Sequence, residues 1–228
     1  PVGLVPLMEG ADGIRNPDEL GEWWEGGVRI IGLAWAATRY CGGTREPGPL
    51  TDEGRQLLKA MADFNFTLDI SHMDELSARQ ALDLYLGPVI ASHATAAAII
   101  PEYTGNRHLG NEVIRALVAR DGVVGLVPSC KFLNYGWQRG SRRELATLEM
   151  LAAHVDHICQ IAGSARHVGL GSDFDGGFGL EAVPAEFDSI ADLGKLGPQL
   201  AAKGYNDADV AAVLGGNWLR HLRTHLPA

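Results

Sequence analysis

Six short apolar runs recur along this chain, at residues 2–9, 28–35, 66–72, 88–93, 123–128 and 167–173, with amphipathic helical patterns between most of them. Strands that alternate with helices pack as successive βαβ units around a parallel sheet. The clearest helix covers residues 52–64. Thr51 is placed to cap it, Asp52 and Glu53 suit the positive end of its dipole, and Leu57, Leu58 and Met61 share one face. Residues 75–85, 112–119 and 145–161 follow the same pattern, and a last helix opening at Asn206-Asp207 is interrupted by Gly215-Gly216 before residues 217–225. Six strands suit either a doubly wound open sheet or part of a barrel. No G-x-G-x-x-G follows an early strand, and polar residues close several strands rather than lining one crevice. The expectation is an α/β fold of the (β/α)8 barrel type with about its first two βα units absent, forming a single domain over residues 1–228.

Composition narrows the function classes. A hydrophobic content of 46% with 21% charged residues is ordinary for a globular chain, and 228 residues can bury a full core. The formal net charge of −9 argues against a nucleic-acid partner, which requires a basic face. Cys41, Cys130 and Cys159 are odd in number and form no C-x-x-C pair, so they read as reduced packing residues. No apolar run is long enough to cross a bilayer, and Pro1-Val2-Gly3-Leu4 lacks the charged n-region of a signal peptide. The expected location is cytoplasmic. The chain begins at Pro1 rather than at a methionine, which leaves a signal peptide upstream open. The loops at 41–50 and 129–143 are rich in Gly, Pro, Arg and aromatic residues, and each follows a strand. Both are expected on the active face, as substrate contacts or a lid.

In a parallel barrel the chemistry gathers at the C-terminal ends of the strands. Two consecutive runs close in Ser-His, at Ser71-His72 and Ser92-His93, and a third closes on Asp173. A lone loop histidine is ordinary. Two at the same place on neighbouring strands lie about 5 Å apart, close enough to meet one or two metal ions, and imidazole with carboxylate is a donor set that zinc favours. Glu9 ends the first run ahead of Gly10, where a carboxylate needs a partner; either it is an exposed loop glutamate or it bridges metals. Asp173, in Gly171-Ser172-Asp173-Phe174-Asp175-Gly176-Gly177, reads either as an Asx-stabilised turn or as the acid/base that handles the proton of a metal-bound water. Asp175 reads as orienting that loop. Arg107 is placed to clamp a substrate carboxylate. His154-Val155-Asp156-His157 imitates a metal motif, but it lies within a helical pattern and is expected to cross-link the surface of an outer helix.

These residues resemble the membrane (renal) dipeptidases, the M19 metallopeptidases. The resemblance rests on Met8-Glu9-Gly10, Leu50-Thr51-Asp52-Glu53-Gly54, Asp69-Ile70-Ser71-His72, Val89-Ile90-Ala91-Ser92-His93, Asn106-Arg107, His154-Val155-Asp156-His157-Ile158, and the stretch from Val168 to Gly176. It implies a (β/α)8 barrel with two zinc ions that hydrolyses free dipeptides, some with a D-residue at the C-terminal position. On this likeness Glu9 is the bridging carboxylate, and His72 and His93 ligate one zinc. Arg107 takes the substrate carboxylate, and Asp173 is the catalytic acid/base that also contacts substrate. A metal-bound hydroxide attacks the scissile carbonyl. A homodimer is the assembly implied, although no feature of the sequence marks an interface. Two departures stand out. The family's first strand carries His-x-Asp, which is absent before Glu9, and Trp35 stands where some members carry a histidine. The alternatives are a related barrel amidohydrolase acting on another small amide or lactone, and an inactive chain lacking the His-x-Asp ligands.

Overall fold

Parallel backbone pairing builds the frame of the molecule. The computed structural model describes residues 3–174 and 176–227; Val2, expected to open the first strand, and Asp175, expected to orient its loop, lie outside the described residues. The strands are β1 (Leu7–Glu9), β2 (Ile30–Gly32), β3 (Cys41–Gly43), β4 (Glu46–Leu50), β5 (Thr67–Asp69), β6 (Val89–Ala94), β7 (Val124–Leu126) and β8 (Val168–Leu170). Each of the six apolar runs contains one strand of a single sheet, ordered β1-β2-β5-β6-β7-β8 and parallel throughout. Apart from β3 and β4, that order follows the chain without reversal. A doubly wound sheet reverses at its switch point, so that alternative falls. Sequential parallel order is the wall of a (β/α)8 barrel. Among the described residues β1 and β8 are the two ends of this wall, and no ladder joins them.

Helices return the chain between strands. They are α1 (Leu20–Glu25) before β2, α2 (Asp52–Asp63) before β5, α3 (Glu75–Leu84) before β6 and α4 (Asn111–Ala119) before β7. Short α5 (Cys130–Leu133) and long α6 (Leu148–Ala162) precede β8, and α7 (Leu196–Ala202), α8 (Asp207–Ala211) and α9 (Asn217–His225) follow it. The glycine interruption expected between α8 and α9 is a π-helical turn, Ala212–Gly216. No helix among the described residues is long and apolar enough to cross a membrane. The cap of α2 forms as its sequence predicts: Thr51 Oγ1 accepts the Gly54 N–H at 3.0 Å, while Leu57, Leu58 and Met61 are buried. The same hydroxyl donates to the Arg39 carbonyl at 2.7 Å. A Thr51→Ala variant is therefore expected to lose about 1–2 kcal/mol of stability, read as a lower urea midpoint with unchanged m-value.

The core lies on both faces of the sheet, with Ile31, Leu68, Ile70, Ala91, Val124 and Val168 all buried. One segment differs from its sequence reading. Residues 41–50, expected as an irregular loop, form an antiparallel hairpin in which Gly43 faces Glu46 across a tight turn. Arg45 takes the left-handed backbone that such a turn demands, with φ 66°. Cys41-Gly42-Gly43 and the prolines of β4 carry no apolar alternation, so pattern alone hides this pairing. The hairpin nevertheless lies on the expected face, and Gly43 bridges Met73 just after β5.

Candidate metal centre

The parallel register places chemistry on one rim. Glu9 at the end of β1 is level with Gly32 on β2, which is level with Asp69 on β5. His72 follows β5 by three residues and His93 lies within β6. Glu9 Oε1 is 3.1 Å from His93 Nε2 and 3.3 Å from His72 Nε2, and the two imidazole centroids are 5.0 Å apart. One donor atom from each of Glu9, His72 and His93 falls within 4.8 Å of the others. Both histidines are buried, whereas the glutamate side chain is 40% exposed toward the cleft.

The other ring nitrogens are already engaged. His72 Nδ1 lies 2.9 Å from Thr44 Oγ1 on the hairpin turn, and His93 Nδ1 lies 2.7 Å from Ser92 Oγ. That leaves both Nε2 atoms facing Glu9. His93 Nε2 is buried without a hydrogen bond despite its short distance to the carboxylate. A buried nitrogen without a hydrogen bond is costly, and a cation seated between it and the carboxylate removes the cost. Burial, followed by the nearby Arg107 and His93 charges, pushes the His72 imidazole down to about 2. It stays neutral, as a ligand must. The donor set therefore fits a divalent metal, and imidazole with carboxylate suits zinc. The backbone at His72 is left-handed, with φ 65°, a conformation that costs about 1–3 kcal/mol for a non-glycine residue and clusters at functional sites.

Arg107 and Asp173 share the cleft with this cluster. The cleft holds about 820 Å³, and its lining includes Glu9, His72, Arg107, Asp173 and Trp35. The Arg107 guanidinium is only 9% exposed; it stacks 4.9 Å over Phe132 and donates from Nη2 to the His93 carbonyl at 2.8 Å. Its Nε and Nη1 are buried without hydrogen-bond partners. Burial lowers its pKa to about 10, opposed by Asp173, Asp69 and Glu9, so the group remains a cation at neutral pH. Asn106 pins this segment by donating to the Gly43 carbonyl at 2.9 Å and to Asp74 Oδ1 at 2.8 Å. Asp173 sits just past β8 with φ 55°, and its carbonyl accepts from the Gly176 N–H at 2.8 Å. Trp35 is 53% exposed and stacks on His72 with centroids 5.4 Å apart.

The structure thus gathers all five predicted site residues, Glu9, His72, His93, Arg107 and Asp173, on one rim. Both expected loops contribute lining, the first through Thr44 and Arg45, the second through Lys131 and Phe132. One expectation needs correction. His154 does not cross-link a surface: it is 2% exposed, and its Nδ1 accepts the Ala96 N–H at 3.2 Å behind the His93 strand. The 3.6-residue period turns position 154 inward, beside Leu151, Val155 and Ile158, while His157 reaches Asn111 at 2.9 Å. The three cysteines are free and buried, as expected. Sequence reasoning overlooked Asp69, Ser92 and Thr44, which hold the histidines; a charged Asp69 inside an apolar strand was the available signal.

Known proteins resemble this chain along nearly its whole length. The family model described as membrane dipeptidase (peptidase family M19) matches residues 2–226. An uncharacterized Klebsiella pneumoniae protein from the pqqA 5′ region is 32% identical over 97% of this chain and 82% of its own length. An uncharacterized dipeptidase of Schizosaccharomyces pombe is 29% identical over 96% of this chain, which spans 53% of that protein. Among solved structures, a Rhodobacter sphaeroides metallo peptidase liganded with a phosphinate mimic of the dipeptide L-Ala-D-Ala superposes with a TM-score of 0.84 at 28% identity. That likeness covers 97% of this chain and 63% of the Rhodobacter chain.

Proposed function

The chain belongs to the membrane dipeptidase family, peptidase family M19, and on that premise we propose that its cleft serves zinc-dependent hydrolysis of the peptide bond in free dipeptides. The observation that carries this reading is the convergence of Glu9, His72 and His93 within 4.8 Å around a buried His93 nitrogen that lacks a hydrogen bond. Zinc bound there supplies a Lewis acid for the scissile carbonyl and a water acidic enough to attack at neutral pH.

The chain's own residues do the rest. Arg107 offers its guanidinium, whose Nε and Nη1 lack hydrogen-bond partners, to the C-terminal carboxylate of the substrate, a charge-assisted contact that fixes where the peptide bond lies. Its anchorage to the His93 carbonyl ties that carboxylate site to the strand bearing a metal ligand. Asp173, across the cleft, takes the proton of the attacking water and returns it to the leaving amine. The Rhodobacter relative's bound mimic of L-Ala-D-Ala supports including dipeptides with a C-terminal D-residue among the substrates. Purified protein reconstituted with zinc is expected to cleave free dipeptides and to spare those with a blocked C-terminus. Activity that survives thorough chelation would overturn the reading. Arg107→Lys keeps the charge but loses the fork, and is expected to raise KM about 10- to 100-fold with a smaller change in kcat, in line with about 1.5–3 kcal/mol for a charge-assisted hydrogen bond.

A second reading, hydrolysis of another small amide or a lactone in the same site, draws on Trp35, whose exposed indole covers His72 on the cleft wall. Lactones turning over far faster than dipeptides in a substrate panel would favour it.

A further inference from the structure

Asp69 is 1% exposed and belongs to the strand before His72, yet it points its carboxylate at the neighbouring strand. Its Oδ1 accepts two backbone N–H groups, from Ser71 at 3.0 Å and Ser92 at 2.8 Å. Its Oδ2 accepts the Ser92 hydroxyl at 2.5 Å. The same Ser92 Oγ lies 2.7 Å from His93 Nδ1. An ionised carboxylate can only accept, so the serine proton points at Asp69. The serine oxygen then has only lone pairs to offer the imidazole, and His93 must carry its proton on Nδ1. With the ring proton held on Nδ1, Nε2 presents its lone pair to the cleft; although Glu9 Oε1 lies 3.1 Å away, Nε2 makes no hydrogen bond to it.

The Ser92 backbone is seated close against its neighbours: its carbonyl would lie 2.0 Å from a Cβ placed on Gly125 and 1.9 Å from one on Gly171, so two glycines admit this segment into the barrel wall. Ser71 Oγ accepts the His93 backbone N–H at 3.1 Å and sits 3.4 Å from Ser92 Oγ.

We propose that Asp69 is a positioning residue that sets the tautomer of His93 through Ser92, so that the chain presents a metal-ready Nε2 before any ion arrives. The proposal rests on the metal-site reading above for its consequence, but not for its geometry. A substitution separates the two. In Asp69→Asn the amide oxygen must still face the two backbone donors, so the amide nitrogen takes the place of Oδ2 and donates to Ser92 Oγ. The serine proton then turns to His93 Nδ1, and the imidazole proton moves to Nε2, where it blocks coordination. Ser92→Ala removes the relay without reversing it, and frees both tautomers.

The test is two-bond 1H–15N correlation of the histidine rings in the metal-free full chain, with His93→Gln to assign the signal, alongside zinc affinity by chelator competition. The wild type is expected as the Nδ1–H form, Asp69→Asn as the Nε2–H form, and Ser92→Ala as a mixture. Zinc affinity is expected to fall about 10- to 100-fold in Asp69→Asn and less in Ser92→Ala, the range typical of partners that orient metal ligands. A merely structural carboxylate would lower the melting temperature without moving the tautomer. Asp69→Asn that keeps the proton on Nδ1, or binds zinc within twofold of wild type, overturns the proposal. Should Asp69→Asn not fold, an unchanged pure Nδ1–H signal in Ser92→Ala overturns it equally. Failure of the wild type to bind zinc defeats the functional reading instead, while the metal-free tautomers still decide the relay.

Discussion

A His93→Ala variant is expected to lose zinc and to drop at least about 10³-fold in kcat/KM for dipeptides, equivalent to about 4 kcal/mol of transition-state stabilisation. The reason is local. On the proposed reading His93 supplies a ligand atom, which lies 3.1 Å from Glu9 Oε1, and its own carbonyl anchors Arg107 at 2.8 Å. Alanine removes the first and leaves the second, because the carbonyl belongs to the backbone of β6. Metal loss should therefore appear with the carboxylate site still formed, so the KM change should be smaller than the kcat change. The buried ring leaves a hole as well, and a lower melting temperature accompanies the loss. Zinc content and kinetics on the same preparation check this. Wild-type zinc stoichiometry with near-normal turnover in the variant would remove His93 from the centre.

The second large effect is on stability, through buried neutral histidines away from Glu9, His72 and His93. His108 is pushed down to about 3, by burial first and then by Arg107 and His154; His154 to about 4, by burial and His157; His221 to about 4, by burial, then His225 and Arg220, against the pull of Asp121. The ordinary value is 6.5. In the unfolded chain these rings take up protons as the pH falls below that value, while the folded protein refuses them until about pH 4 or lower. The unfolded state then binds more protons, so stability falls with falling pH across that window. Each pKa unit is worth 1.36 kcal/mol, so at about pH 5 each histidine costs about 2 kcal/mol, and three cost about 6 if they add. That is comparable to the whole stability of a typical domain, about 5–15 kcal/mol.

Urea midpoints between about pH 5 and 8, on metal-free protein, read this slope. His221 provides the control. It is 2% exposed, neither ring nitrogen has a hydrogen-bond partner, and it meets Trp218 edge-on and the His225 ring at 4.6 Å. His221→Phe keeps the ring and removes the titration. It is expected to flatten the acid slope by about a third of the three-histidine total and to cost little near pH 8. An unchanged slope would mean that His221 finds water or a partner.

Several parts of this outcome were legible in residue order. The six apolar runs each hold a strand of the sheet, because a strand covered on both faces is continuously apolar, with the half-buried β1 at the end of the wall the exception. The helices at 52–64, 75–85, 112–119 and 145–161 formed within a few residues of those bounds, since caps such as Thr51 and Asp74 act locally. The hairpin at residues 41–50 was not legible. Its pairing is made by a turn and by packing against α3 rather than by an apolar pattern in its own residues. His154 shows the same limit from the other side. Its helix was readable, and so was the apolar face it shares with Leu151, Val155 and Ile158, but the Ala96 N–H that its Nδ1 accepts exists only once the helix has packed behind the sheet.

The sequence by itself determined the class of fold and named five candidate residues, because period, caps and strand-terminal side chains are local properties. Only the tertiary structure decided that these five meet. Glu9, His72 and His93 are separated by 63 and 21 positions, and it is parallel register, set by long-range hydrogen bonds between strands, that brings their donor atoms within 4.8 Å. Tertiary structure likewise decided which nitrogen of each imidazole faces the centre. That choice belongs to Thr44, Ser92 and Asp69, whose hydrogen bonds exist only after the strands and the hairpin have packed.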